Sequence, residues 1–342
     1  MKSTKMRIFF KIILICAVIC STLYLSACSG KKVTDDKKPT EAPTSAPATP
    51  TPEADDEIDD EDVDDDEDDT EGTDNFEGYV GLVEIDPGSG IELPLLVYDG
   101  LSYCVYGDHA EVIFTWFSDD SLEDYVIRDS VEYEGKTYPV TAVAEDALNT
   151  FSYALSITIP DTVTSIGDSA FEFCDSLESI VIPSSVTSIG DAAFSECAAL
   201  KEITIPDSVT SLGKGVFFNC AALTTAVLSS NLTSVPEETF SGCELLTSVT
   251  LPEGIQTIGR ESFWYCEALE TIELPETLAI IDDGAFYNCL NLKELKLPKS
   301  LLMLSATAFD CCDSLEKVYC PSSIVSNFKE TFDAYDFEVE EY

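Results

Sequence analysis

The sequence predicts a β-rich repeat solenoid with a parallel sheet on one face and a β-hairpin cap at its N-terminal end. The first observation is a strict period. Phe171, Phe194, Phe217, Phe240, Phe263, Phe286 and Phe309 recur every 23 residues. Cys174, Cys197, Cys220, Cys243, Cys266, Cys289 and Cys312 keep the same step, as do seven leucines from Leu177 to Leu315. The second observation is punctuation: Pro160, Pro183, Pro206, Pro252, Pro275, Pro298 and Pro321 follow the step, with Ser229 as its one break. The third is size. A unit this short cannot bury its own apolar residues, whereas stacked copies bury each other's.

Within one unit, Phe171 to Ala193, each element has a local reason. Leu177, Ile180 and Ile182 form an apolar strand signal, and residues two apart share a face. Pro183 ends the strand because it has no N–H to give to a ladder. Val186 and Ile189 supply the next inward contacts. Gly190, matched by Gly167, Gly213 and Gly259, is expected at a turn of positive φ. Ala193 and Phe194 then open the next coil. The fourth unit carries Ser229 for Pro and Pro236 for Gly, which predicts a local irregularity there. Asp282 and Ser305 replace Gly in the last units, so their turns are expected to differ.

This pattern, from about Ala147 to Pro321, resembles the leucine-rich repeat superfamily, and within it the BspA-like bacterial surface proteins with 23-residue repeats. The resemblance implies a solenoid whose sheet face is the binding surface, and a role in adhesion. Solenoid ends need caps. Residues 76–146 are assigned to the N-terminal cap, with one hairpin turning at Gly107-Asp108 and a second at Glu134-Gly135. The solenoid is assigned to 147–321, beginning with an incomplete repeat that has Leu148 in the Phe slot. Residues 322–342 form the C-terminal cap, a mixture of aromatic and charged residues.

The N-terminal segment is an address. Lys2, Lys5, Arg7 and Lys11 precede a short apolar run, the pattern of a secretory signal and too short for a stable span. Leu25-Ser26-Ala27-Cys28 resembles the lipobox of bacterial lipoproteins. That resemblance implies removal of residues 1–27, acylation of Cys28 and tethering to the extracellular face of the bacterial cell membrane. Residues 28–75 read as a disordered linker, first rich in Pro and Thr, then with 15 acids in the 19 residues Glu53–Glu71. Its full extension is ~160 Å.

The chain of 342 residues has 18 Lys+Arg against 65 Asp+Glu, a net charge of -47. That excludes a nucleic-acid partner, because neutralising phosphates needs a basic face. The single histidine, His109, removes two-His metal sites, and the sequence implies no cofactor or metal. Cys104 and His109 are the one Cys–His combination on offer; catalysis would still need a shaped pocket and an orienting third group, and a strand-packing Cys beside a surface His is the expectation. The ladder cysteines point in parallel, so they are expected as buried free thiols rather than bridges. A bridge between Cys311 and Cys320 is left open.

Two surfaces are candidates for binding. On the sheet, outward positions are mainly Ser and Thr in the early coils, then Glu273, Glu294, Lys296, Lys317 and Tyr319. Between the Phe and Cys slots lie Phe173, Phe218, Trp264, Tyr265 and Tyr287, with Trp264 and Tyr287 in one slot of adjacent coils. The function expected is non-enzymatic recognition of an extracellular protein or glycan by a lipid-anchored surface protein. A structural envelope spacer without a ligand, and a glycan-acting enzyme, are the alternatives.

Overall fold

The computed structural model describes residues 78–84, 92–114, 122–333 and 335–342. The chain divides into two units, 1–73 and 74–342, and the described residues all lie in the second. The signal, Cys28 and the linker lie outside the described residues.

The chain enters through seven strands: β1 (Gly78–Glu84), β2 (Glu92–Tyr98), β3 (Leu101–Tyr106), β4 (His109–Ile113), β5 (Asp124–Val126), β6 (Ser130–Tyr133) and β7 (Lys136–Val143). β1 to β4 form an antiparallel meander, and β6 and β7 form the second hairpin. The hairpin turns fall where expected, with Gly107 at φ 49°, Glu134 at 50° and Gly135 at 74°. The β1–β2 pair was not legible in the sequence.

The solenoid follows with β8 (Ser156–Thr158), β9 (Ser165–Ile166), β10 (Ser179–Val181), β11 (Ser188–Ile189), β12 (Glu202–Thr204), β13 (Ser211–Leu212), β14 (Thr225–Val227), β15 (Ser234–Val235), β16 (Ser248–Thr250), β17 (Thr257–Ile258), β18 (Ile280–Ile281), β19 (Glu294–Lys296), β20 (Met303–Leu304) and β21 (Lys317–Cys320). Helix α1 (Val325–Thr331) and β22 (Glu338–Glu341) close the chain. Three-residue strands line one face in parallel, as the sequence predicts. A second ladder of two-residue strands lines another face, at the positions read only as inward contacts. The cap seeds both, since β5 pairs with β8 and β7 with β9, each in parallel.

The turn side of each coil is bonded as well. Phe171 donates its N–H to the Ala193 carbonyl at 2.8 Å, and Phe194 to Val216 at 2.9 Å. Inside, the seven Phe rings form one fully buried file, with successive centroids 5.0 to 6.0 Å apart. Phe332, beyond α1, extends the file with its ring 5.7 Å from that of Phe309. Each such ring contributes ~1.5–3 kcal/mol by burial, and stacking adds to it.

The cysteine row is not purely apolar. Each thiol donates to the carbonyl of the residue in the Phe slot one coil back: Cys197 to Phe171, Cys220 to Phe194 and Cys243 to Phe217, all at 3.2 Å. Those carbonyls also accept a backbone N–H, so the thiol satisfies their second lone pair. All seven ladder cysteines are free thiols, and so is the buried Cys320, so no Cys311–Cys320 bridge is present.

The glycine row needs correction. Gly167, Gly190, Gly213 and Gly259 do not have positive φ. Each is required because the backbone of the preceding coil leaves no room for a Cβ. At Gly213 a Cβ would lie 2.4 Å from the Asp191 nitrogen and the Gly190 carbonyl carbon. The left-handed positions fall elsewhere, twice in each turn. One row runs Ser169, Ala192, Gly215, Glu238, Glu261 and Gly284, the other Phe173, Glu196, Asn219, Gly242, Tyr265 and Asn288, all at φ between 50° and 76°.

The expected irregularity at Pro236 has a definite form. Gly190, Gly213, Gly259, Asp282 and Ser305 each donate an N–H to the preceding coil, and Pro236 has none to donate. The second ladder divides there, ending at β13 and resuming at β15. Ser229, in the Pro slot, is buried and donates its hydroxyl to the Val209 carbonyl at 2.7 Å. Asp282 and Ser305 keep the inter-coil bond that the glycines make, so those turns differ less than expected.

Two measurements test these assignments. Gly213→Ala should cost about 2–3 kcal/mol in urea unfolding, because backbone must shift. Ala192→Gly, at φ 53°, should stabilise by about 0.5–1 kcal/mol by removing a strained Cβ. Burial pushes the thiols of Cys104 and Cys320 up to about 11, and those of Cys220, Cys243 and Cys266 well above the ordinary value. They stay neutral in the fold and ionise in the unfolded chain, so their stabilisation is complete below about pH 8.5 and is lost as pH rises. Unfolding under reductant should therefore show stability falling steeply above about pH 9. Cys220→Ala should reduce the slope by about 1.4 kcal/mol per pH unit. A stability flat to pH 10.5 would contradict the neutral thiol file.

Candidate recognition surface

The outward residues of the long ladder are exposed in the alternation predicted, as in β10, β12, β14, β16 and β19, where the central residue alone is buried. Their chemistry changes along the row. Early coils present Ser179, Thr204, Thr225 and Thr250, and the last coils present Glu294, Lys296, Lys317 and Tyr319.

Register brings four of the expected residues together: Glu294 lies opposite Lys317, and Lys296 opposite Tyr319. Glu273 stands apart, exposed in a coil whose segment Thr271–Glu273 forms no strand. β22 adds itself in parallel beside β21, setting Glu338 opposite Lys317 and Glu340 opposite Tyr319. The Lys317 ammonium is thereby 3.0 Å from Glu340 and 3.7 Å from Glu338, which raise its pKa.

Tyr342 is the member that sequence reasoning missed. Its hydroxyl donates to the Leu297 carbonyl at 2.6 Å. Its ring lies under two ammonium groups, Lys296 at 5.0 Å and Lys299 at 5.6 Å. Neither lysine has a carboxylate within ion-pair distance among the described residues, although the chain has 65 acids. The only sequence signal was that Lys293, Lys296, Lys299 and Lys317 fall within two coils.

The aromatic ledge is assembled on the turn side. Trp264 and Tyr287 stack with centroids 6.2 Å apart, and Tyr265 meets Trp264 edge-on at 4.2 Å. All three rings are half-buried, so they fill the groove between coils as well as edging the surface. Next to them, Arg260 contacts Glu237, Glu238 and Glu261 at 2.5, 3.1 and 3.0 Å, and Lys214 reaches Glu237 at 2.7 Å.

Cys104 and His109 do not form a reactive pair. His109 stacks on Tyr106 and lies between Asp108 and Glu111, at 3.1 and 3.5 Å. The Cys104 thiol is buried in a small cluster with Leu95 and Ile113, which keeps it protonated at neutral pH. Among the described residues no group of three or more His, Cys, Asp or Glu could hold a metal, and no helix is long and apolar enough to cross a membrane.

Similarity to known proteins lies in the repeat. No curated protein matches the chain. A leucine-rich cell surface protein from Faecalibacterium prausnitzii is 22% identical, with 72% of this chain and 94% of that one covered and a TM-score of 0.47. A leucine-rich repeat protein from Bacteroides ovatus is 23% identical over 72% of this chain and 99% of its own, with a TM-score of 0.35. The T. pallidum leucine-rich repeat protein is 23% identical over 51% and 89%, with a TM-score of 0.42. The model of the BspA type leucine rich repeat region matches residues 141–270 and 256–338, more than half of the sequence. With its 23-residue slots and stacked parallel coils, the chain belongs to the BspA type leucine-rich repeat family.

Proposed function

We propose that this is a non-enzymatic recognition protein, held on the outer face of a bacterial membrane through acylated Cys28. It binds an extracellular protein or glycan with the C-terminal end of its long-ladder face. The observation that carries this reading is the pair Lys296 and Lys299 over Tyr342. In a chain of net charge -47 these two ammonium groups form no ion pair among the described residues, and both lie over one ring. Cations and aromatic rings are the usual energetic anchors of an interface. Tyr319, with the Lys317 ammonium 5.7 Å from its ring, extends the patch.

The anchor rests on the Leu25–Cys28 motif. Two or three acyl chains, at ~0.8 kcal/mol per buried CH₂, hold a protein firmly on a membrane. The acidic linker gives the solenoid reach away from the lipid.

The anchor is tested by mass spectrometry of the mature N-terminus. Acylated Cys28 is expected, with Cys28→Ala releasing or misprocessing the protein. An unmodified N-terminus at another residue would overturn it. Recognition is tested by screening the soluble solenoid against extracellular-matrix proteins and glycans, then adding Lys296→Glu with Tyr319→Ala. That pair should weaken the hit about 30-fold, as loss of a ~2 kcal/mol hot spot does, and binding should weaken with salt. Thr158→Ala with Thr204→Ala should leave it unchanged. If the threonine pair abolishes binding and the lysine–tyrosine pair does not, the site is at the other end.

A further inference from the structure

We infer that the outer edge of β22 is a docking edge for an extended cationic peptide, which adds to the long ladder as its next parallel strand. This goes beyond the recognition face, because it uses backbone groups at the end of the sheet and not the side chains of Lys296 or Tyr319.

The edge is open. Glu338 donates its N–H to the Glu316 carbonyl at 2.7 Å, and Tyr342 to Cys320 at 3.1 Å. Strand geometry then turns the N–H and C=O of Val339 and Glu341 the opposite way. Those groups have no hydrogen-bond partner among the described residues. Val339 itself is half-buried, so an added strand would complete its cover. An edge of this kind is a template for another strand.

The charge of the occupant follows from the glutamates of the edge and from the ion pairs that join neighbouring coils elsewhere. Oppositely charged residues meet at a step of one coil: Glu178 with Lys201 and Glu270 with Lys293, each at 2.6 Å, and Lys317 with Glu340 at 3.0 Å. In the outward column, Glu294 is followed by Lys317 and then Glu338. The next strand would therefore carry cations opposite Glu338 and Glu340. A second copy does not fit. Stacked head to tail it would present β5, whose Asp124 occupies that column and would meet Glu338. The occupant is a different chain with alternating lysine or arginine.

The probe is a short synthetic peptide of lysines alternating with valines, titrated into the full chain by calorimetry. Its control carries N-methyl groups on the lysine amides, which keep the charge and delete the donors that would face β22. The parent peptide should bind with the Val339 and Glu341 amides protected from hydrogen exchange, and the N-methylated peptide should bind at least tenfold more weakly. Glu338→Lys with Glu340→Lys, and separately Val339→Pro, should each lower affinity at least tenfold. Proline removes an outward N–H and leaves the β21 bonds in place. Equal binding of the two peptides would overturn the proposal, since attraction to an acidic chain would then account for it. So would unchanged amide exchange at Val339 and Glu341. Should either variant fail to fold, the peptide pair on the parent protein decides the matter alone. Lys296→Glu with Tyr319→Ala should not weaken the peptide, which separates failure of this edge from failure of the recognition face.

Discussion

Backbone hydrogen bonding between successive coils sets the distance at which every residue meets its counterpart 23 positions on. Bonds of 2.7 to 3.4 Å on three sides of the coil hold the repeats at that separation. Side chains have to accept it. Phe rings suit it, because flat rings stack at 5.0 to 6.0 Å without disturbing the backbone. Cysteine suits it because a thiol bridges 3.2 Å to the carbonyl one coil back while filling little volume. Glycine is forced where two backbones come closest, since a Cβ at Gly190 would lie 2.5 Å from the Asp168 nitrogen. The sequence period is the imprint of one distance on several chemistries.

The same constraint explains which parts of the fold could be read from the sequence. Inward slots repeat because their neighbours are copies of themselves, so Phe, Cys and Leu announce the coil. Pro236 announced its defect because proline lacks an N–H wherever it stands. The glycine row was located correctly but for the wrong reason, since a sequence shows that a Cβ is missing and not what excludes it. The true left-handed positions were hidden because Ala192, Glu196, Glu238 and Tyr265 occupy them as well as Gly215 and Gly242. A cost of ~1–2 kcal/mol at one position is carried by the packing around it, so composition there is free to drift. Tyr342 was hidden for another reason. It joins Lys296 and Lys299 through a crossover that passes through α1, and no period links residues across it.

Charge follows the coil spacing as well. The net charge of -47 describes the chain, but the folded surface is ordered by neighbours one step away. Lys214, Glu237 and Arg260 alternate in sign along one row, and Arg260 gathers Glu238 and Glu261 from the adjoining one. These pairs are largely exposed and each contributes little to stability. Their consequence is register, because a coil slipped by one residue would set like charges together.

An array built on such a rule has a problem only at its ends, where one neighbour is missing. The N-terminal end solves it with two cap strands, β5 and β7, that enter one ladder each, so the first coil meets a strand on each face. The C-terminal end solves only part of it. Helix α1 carries Phe328, and Phe332 follows just after it; together they cover the end of the ring file and close the core. The sheet continues one strand further, to β22, and β22 ends in glutamates. Like charges there disfavour pairing with another copy of the same edge. They also make the edge selective, because the attraction that pairs Lys317 with Glu340 favours a cationic strand over an acidic one.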